Sequence, residues 1–359
     1  MTLDASGVGL DLGLDAAALA ARLVDVPSVS GTEGPLADAI ETALRARPHL
    51  AVERYGNTVV ARTMLGHRQR VVIAGHIDTV PIAGNVPSRM QDGVLHGCGS
   101  CDMKSGVAVM LRVAAELTGP VRDVTYVFYD CEEVEAERNG LGRLARHDPA
   151  LLAGDLAVLM EPTSAVIEGG CQGTMRAEVT TTGARAHTAR SWMGRNAIHG
   201  AGAILEVLRA YEPRQPEVGG LRYREGLNAV GIRGGVAGNV VPDECVVTVN
   251  YRFAPDRTED EAVAHVRAVF GGFPVTVTDS SPAASPGLDH PAAASLLAAV
   301  GGTPRAKLGW TDVARFASLG IPALNYGPGD PELAHTPGEH ASTDEIFSCE
   351  TTLLAWLTG

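Results

Sequence analysis

The run VVIAGHIDTVP, residues 71–81, carries small and apolar side chains up to His76, with Asp78 two positions on. Successive strand side chains alternate in direction, so both can lie on one side of the chain. Asp78 can then accept the free N–H of His76 and fix the tautomer that leaves the other ring nitrogen for a metal ion. Satisfied His/Asp pairs are common, so this pair alone does not decide the matter. Asp102 follows in GCGSCDMKSG, between a glycine-rich loop and a helical stretch, where capping the helix is its ordinary alternative use. YVFYDCEEVE ends a second apolar run in Asp130, Glu132 and Glu133. Adjacent carboxylates raise each other's pKa unless a cation sits between them, although Glu pairs also populate exposed helices. LAVLMEPT puts Glu161 at the end of a third run, where a solvated face fits less well. Together, one histidine, one aspartate and two glutamates at successive strand-to-loop junctions favour a metal site with room for two ions. A second histidine is available in GPGDPELAHTPGEH, as His335 or His340. These are hard and borderline ligands of the kind zinc takes. Glu132 beside Glu133 leaves one carboxylate over to move protons.

Such a cluster needs elements that bring distant segments together. DAAALAARLVDV and PLADAIETALRAR have helical apolar spacing, and RVVIAGH, VTYVFYD and LAVLME are predicted strands, with the helical MKSGVAVMLRVAAEL between the first two. That alternation predicts a layered α/β sheet, in which ligands bind just beyond the carboxyl ends of strands. After EGGCQGT the texture changes. MRAEVTTTG, LNAVGIRGG and ECVVTVNYRF alternate like half-exposed strands around two helical stretches, NAIHGAGAILEVLRAY and TEDEAVAHVRAVF. An α+β unit of residues 174–283 is therefore expected as an insertion, with SSPAASPG as a linker. Residues 1–173 and 284–359 would make up the layered α/β domain.

Composition narrows the partners. A net charge of −13 repels phosphate backbones and anionic lipid, and aromatic residues make up only 4% of the chain, so nucleic acid and membrane are poor partners. The opening MTLDASGVGLDLGLD has no basic region ahead of an apolar core, as a secretory signal would. No apolar run approaches the roughly 20 residues that span a bilayer, so a cytoplasmic location is expected. The six cysteines, at 98, 101, 131, 171, 245 and 349, read as reduced thiols and not as a disulfide framework. The lone Cys98/Cys101 pair has no second pair to complete a zinc site.

GHIDTVP, GCGSCDMKSG, YDCEEVE, LMEPT, ARAHTAR and LAHTPGE stand in the order used by the dinuclear zinc aminoacylase and peptidase family, which the chain resembles over almost its whole length. YDCEEVEAERNGLG, GNVVPDECVVTVNYRF and GWTDVARF are most similar to the desuccinylase branch of its acetylornithine deacetylase and succinyl-diaminopimelate desuccinylase group. The resemblance implies an α/β catalytic domain with a smaller α+β lid and dimerisation domain, and two zinc ions per subunit, cobalt being able to substitute. It implies that His76 and Glu161 hold one ion, Glu133 and His335 the other, and that Asp102 bridges both. His335 is favoured over His340 by its spacing from Glu339. Glu132 would be the general base, Asp78 the orienter of His76, and His187 a donor to the oxyanion. Arg252, with Asn239, would bind a substrate carboxylate. Arg190, Arg195 and Arg233 are further candidates for that task. The implied reaction is hydrolysis of the amide of N-succinyl-LL-2,6-diaminopimelate by a homodimer. The alternatives are another N-acyl amino acid, such as N-acetylornithine, or a non-catalytic metal-binding relative. Cys98, Cys101 and Trp310 depart from the family's usual residues.

Overall fold

The computed structural model describes residues 9–359; residues 1–8, part of the opening stretch read above for a secretory signal, lie outside the described residues. The chain forms two compact units, Met1–Gly170 with Pro286–Arg305 and Thr311–Gly359, and Cys171–Ser285 with Ala306–Trp310. The second unit thus takes a short segment, Ala306–Trp310, in addition to the expected insertion. Trp310 contributes to the attachment: its ring N–H donates to the carbonyl of Pro282 at 3.1 Å.

In the first unit a mixed sheet runs in the order Ala51–Tyr55, Thr58–Arg62, Asp123–Tyr129, Arg70–His76, Leu156–Leu159, Ala323–Asn325 and Glu168–Gly169. Its centre is parallel: Arg70–His76 lies between Asp123–Tyr129 and Leu156–Leu159, and Ala323–Asn325 continues in the same direction. Every residue of Asp123–Tyr129 is buried, as expected of a strand covered on both faces. Helices Ala16–Val24, Ser105–Glu116 and Thr343–Thr358 pack on one another over this core, where Leu19, Leu23, Val109, Met110 and Leu353 are fully buried. Gly106, in the first turn of Ser105–Glu116, has no side chain because a Cβ there would run into the carbonyl of Met160. That close approach brings the segment after Asp102 up to the strand that precedes Glu161. Lys104 secures the same segment from the other side: its buried ammonium donates to the carbonyls of Leu23 and Val26 at 3.0 and 2.8 Å, and burial pushes its pKa down to about 8. A small antiparallel sheet, Arg89–Gln91, Val94–His96 and His340–Ser342, completes the unit.

The second unit is a four-stranded antiparallel sheet ordered Gly226–Gly234, Glu244–Phe253, Gly173–Thr182 and Val275–Ser281. Helices Ala197–Arg209 and Glu259–Val269 contribute Ala201, Ile204, Ala262 and Val266 to a core with Val179, Val247, Val249, Tyr251 and Phe253. Gly173 is required by the ring of Phe253, which fills the place of a Cβ. The strand Val275–Ser281 was not expected from the sequence, because its second half, Thr278–Ser281, is polar throughout. Among the described residues no helix is long and apolar enough to cross a membrane. All six cysteines are buried thiols.

Candidate metal centre

Three parallel neighbours deliver the cluster. His76 is the last residue of its strand, Glu132 and Glu133 follow the adjacent strand by three and four residues, and Glu161 follows the strand on the other side. Asp102 comes from the turn Ser100–Lys104, and its main-chain N–H, with that of Cys101, donates to Glu339 at 3.0 Å each. His335 sits in a loop with φ +62°, a left-handed conformation that non-glycine residues adopt rarely and mostly where the surroundings enforce it.

Ligand atoms of His76, Asp102 and Glu161 lie within 4.8 Å of one another, as do those of Asp102, Glu133 and His335. Asp102 belongs to both groups, and its two oxygens divide between them. Oδ1 is 3.0 Å from His76 Nε2, and Oδ2 is 3.4 Å from His335 Nε2. His335 Nε2 also lies 2.8 Å from Glu133 Oε1. His76 is 1% exposed and His335 49%, so one side of the cluster is sealed and the other open. Glu132 forms a third group with His76 and Glu133.

Asp78 lies beside the His76 ring and has a further part besides. His76 Nδ1 lies 3.1 Å from the main-chain oxygen of Asp78 and 3.4 Å from its carboxylate. The residue therefore does fix the ring, principally through its carbonyl. Its carboxylate accepts the N–H groups of Glu132 and Glu133 at 3.0 and 3.1 Å and the Ser30 hydroxyl at 2.7 Å.

Without cations the charges are frustrated. Two like charges 4 Å apart cost about 4 kcal/mol at an effective dielectric near 20, so the carboxylates hold protons or share them with the histidines. Burial, joined by the charges of Glu133, Asp312 and Glu161, raises Glu132 well above the ordinary carboxylate range, with His76 opposing. Burial and Asp102 likewise raise Glu133, against the hydrogen bond from His335. Burial pushes His76 down, but the carboxylates of Asp102 and Asp78 override it and hold the ring well above its usual pKa. His335 is raised to about 11 by its bonds to Asp102 and Glu133. Two imidazoles and several carboxylates in this geometry fit a pair of borderline divalent cations, which would replace those protons.

His187, Asn239 and Arg252 lie in the second unit. His187 and Asn239 are brought together: the N–H of Thr188 donates to the carbonyl of Asn239 at 3.0 Å, and His187 bridges Val240. His187 Nδ1 accepts the N–H of Ala189 at 3.0 Å and so caps the turn Thr188–Met193. The neutral ring then carries its proton on Nε2, and the side chain is exposed. Arg252 is half-buried, forms no ion pair among the described residues, and has its pKa lowered by burial and by Arg176. Arg233 is engaged with Glu178 at 2.8 Å. His340 stays apart from the cluster, its Nδ1 2.8 Å from the Gly338 carbonyl.

Sequence reasoning missed Glu33 and Asp312. Glu33 is buried and accepts the N–H and thiol of Cys131, at 3.2 and 3.3 Å, where the chain turns at φ +58° into Glu132. Asp312, also fully buried, accepts Asn139 Nδ2 at 2.9 Å. Neither ends an apolar strand, which was the signal that found the others.

The profile of Peptidase family M20/M25/M40 matches residues 72–358. A Mycobacterium tuberculosis protein provisionally named succinyl-diaminopimelate desuccinylase is 53% identical, covering 98% of this chain and 100% of its own. The succinyl-diaminopimelate desuccinylase of Corynebacterium glutamicum is 47% identical, over 98% of both chains. Among solved structures, a tripeptidase from Staphylococcus aureus superposes with a TM-score of 0.79 at 20% identity, covering 97% of this chain and 98% of that one, a likeness of fold. The profile match and the two near full-length identities establish that this chain belongs to Peptidase family M20/M25/M40.

Proposed function

We propose that the protein hydrolyses the amide bond of N-succinyl-LL-2,6-diaminopimelate, releasing succinate and LL-2,6-diaminopimelate on the route to lysine. The observation that carries amide hydrolysis is Asp102, with one oxygen toward His76 and the other toward His335. The substrate follows from the two relatives named as desuccinylases, to which the chain is similar over nearly its full length.

The donor set fits two zinc ions: His76 and Glu161 would hold one, Glu133 and His335 the other, with Asp102 shared; cobalt accepts the same nitrogen and oxygen donors. When bound, such ions supply Lewis acidity and lower the pKa of water. The chain does the rest. Glu132 takes the proton of the attacking water and delivers it to the departing amine. Asp78 fixes the main chain of Glu132 during both transfers. His187 donates from Nε2 to the developing oxyanion, and Arg252, with Asn239, receives a substrate carboxylate.

The second unit is the lid and the surface through which a homodimer forms. Its edge strand Gly226–Gly234 exposes Val230 and Ile232 at 60% and 56%, a combination that invites pairing with another chain. Six thiols fit a reducing, cytoplasmic compartment.

A panel of N-acyl amino acids offered to the zinc-loaded protein tests this reading. Strong preference in kcat/KM for the succinyl substrate over N-acetylornithine is expected. Comparable rates on both would remove the desuccinylase assignment and leave the hydrolase. Bound metal with no turnover on any member would make the protein a non-catalytic relative.

A further inference from the structure

His96 and His340 face each other across the small antiparallel sheet as register partners, away from the carboxylate cluster. Their ring centroids are 5.2 Å apart with planes at 39°, and both side chains are half-buried. The carbonyl of Gly338, 2.8 Å from His340 Nδ1, can only accept, so that nitrogen carries the proton and Nε2 presents a lone pair. No protein hydrogen bond holds the His96 ring among the described residues. Burial, with Arg89 and His340 nearby, keeps His96 below its usual pKa and so in the neutral form that binds metal.

The spacing is informative. With zinc–nitrogen bonds of about 2.0–2.1 Å, an ion stands about 3.2 Å from each ring centre, and a tetrahedral angle then separates the centres by about 5 Å. We propose that His96 and His340 form a further site for a borderline divalent cation of the zinc, nickel or copper type. Imidazole suits these ions, and water completes the coordination. With two protein ligands, no carboxylate and Arg89 paired to the far side of His96, the site binds more weakly than the carboxylate cluster and exchanges freely. An ion here would act as a clamp. His96 leads into the loop that carries Asp102, His340 follows the segment that carries His335, and the N–H of Gly97 already donates to the carbonyl of Glu339 at 3.1 Å.

The test uses zinc-loaded protein, dialysed to retain its tightly held ions, in equilibrium dialysis against free Zn2+ across roughly 1–100 μM. Wild type should take up one further ion per chain. His96→Ala, His96→Gln and His340→Gln should each lose that ion, keep the tight ones and leave the circular dichroism spectrum unchanged, while His49→Gln, which alters a histidine elsewhere, should keep it. Cu2+ added to zinc-loaded wild type should show coupling to two nitrogens by electron paramagnetic resonance. Equal uptake by wild type and both His96 variants, or no uptake beyond the tight ions by wild type, would reduce the pair to ring packing and overturn the proposal.

Discussion

The carboxylate of Asp78 accepts the main-chain N–H of Glu132 at 3.0 Å, across 54 residues of sequence. The same side chain takes the N–H of Glu133, while its carbonyl faces the ring of His76. One buried residue thus sets the aim of a proposed ligand from one strand and of two acidic residues from the next. Asp78→Asn turns one of those acceptor oxygens into a donor facing an N–H. Because partners of this kind cost about 10–100-fold in metal affinity or activity when removed, kcat/KM should fall by that amount. An unchanged kcat/KM would show that the Glu132 turn holds itself.

Glu132→Gln should keep both metal ions and lose turnover by about 10²–10⁴-fold, the share general acid–base catalysis usually supplies. Metal analysis beside steady-state kinetics separates the cases. Loss of metal together with activity would make Glu132 a ligand.

Metal uptake should release protons. In the metal-free protein His335 stays protonated below a pKa of about 11, and a cation binds only the neutral ring. Protons therefore compete with metal throughout pH 6–9, and apparent affinity should rise with pH by about tenfold per unit for each proton displaced. Calorimetry in buffers of different ionisation enthalpy counts the protons, and His335→Ala should lower the count by about one. Uptake without proton release would contradict the raised histidines.

Arg252→Ala should raise KM for the succinyl substrate by at least tenfold and leave metal content intact. The half-buried guanidinium has no acidic partner among the described residues, so a substrate carboxylate is its natural counter-ion. A normal KM would move the carboxylate contact elsewhere.

His187 should serve the neighbouring subunit of a two-fold dimer. Glu132→Gln and His187→Ala chains should each be nearly inactive alone. Refolded together, half the dimers become mixed with one intact site apiece, so about a quarter of wild-type activity should return. Confirmed heterodimers without recovered activity would confine His187 to capping the turn at Ala189.

Much of the cluster was legible because parallel strands end where ligands gather. His76, Glu132, Glu133 and Glu161 all terminate apolar runs, a pattern that local sequence displays. Asp102 and a histidine at 335 or 340 were candidates by residue type, but the bridging part of Asp102, the choice of His335 and any part for His187 came only by resemblance, since a turn, a loop and a capped segment carry no periodic signal. The further contacts of Asp78, with the N–H groups of Glu132 and Glu133, were not foreseen because residue spacing reveals a side chain's direction and not which backbone it meets. Glu33 and Asp312 were invisible for a related reason. Their significance lies in contacts across 98 and 173 residues, with Cys131 and Asn139. The short segment Ala306–Trp310 joined the second unit, with the Trp310 indole N–H on the Pro282 carbonyl, a tertiary choice that composition cannot display.

Glu339 grips the N–H groups of Cys101 and Asp102 although Cys101 and Glu339 stand 238 positions apart in the sequence. On the ribosome, at roughly 5–20 residues per second, Asp102 therefore emerges tens of seconds before the carboxylate that steadies it and before His335. The early half of the centre is born with its acidic groups in place and its frame unfinished. Nascent chains halted before residue 335 should be poor scavengers of cellular metal, so loading becomes one of the last events in the protein's maturation.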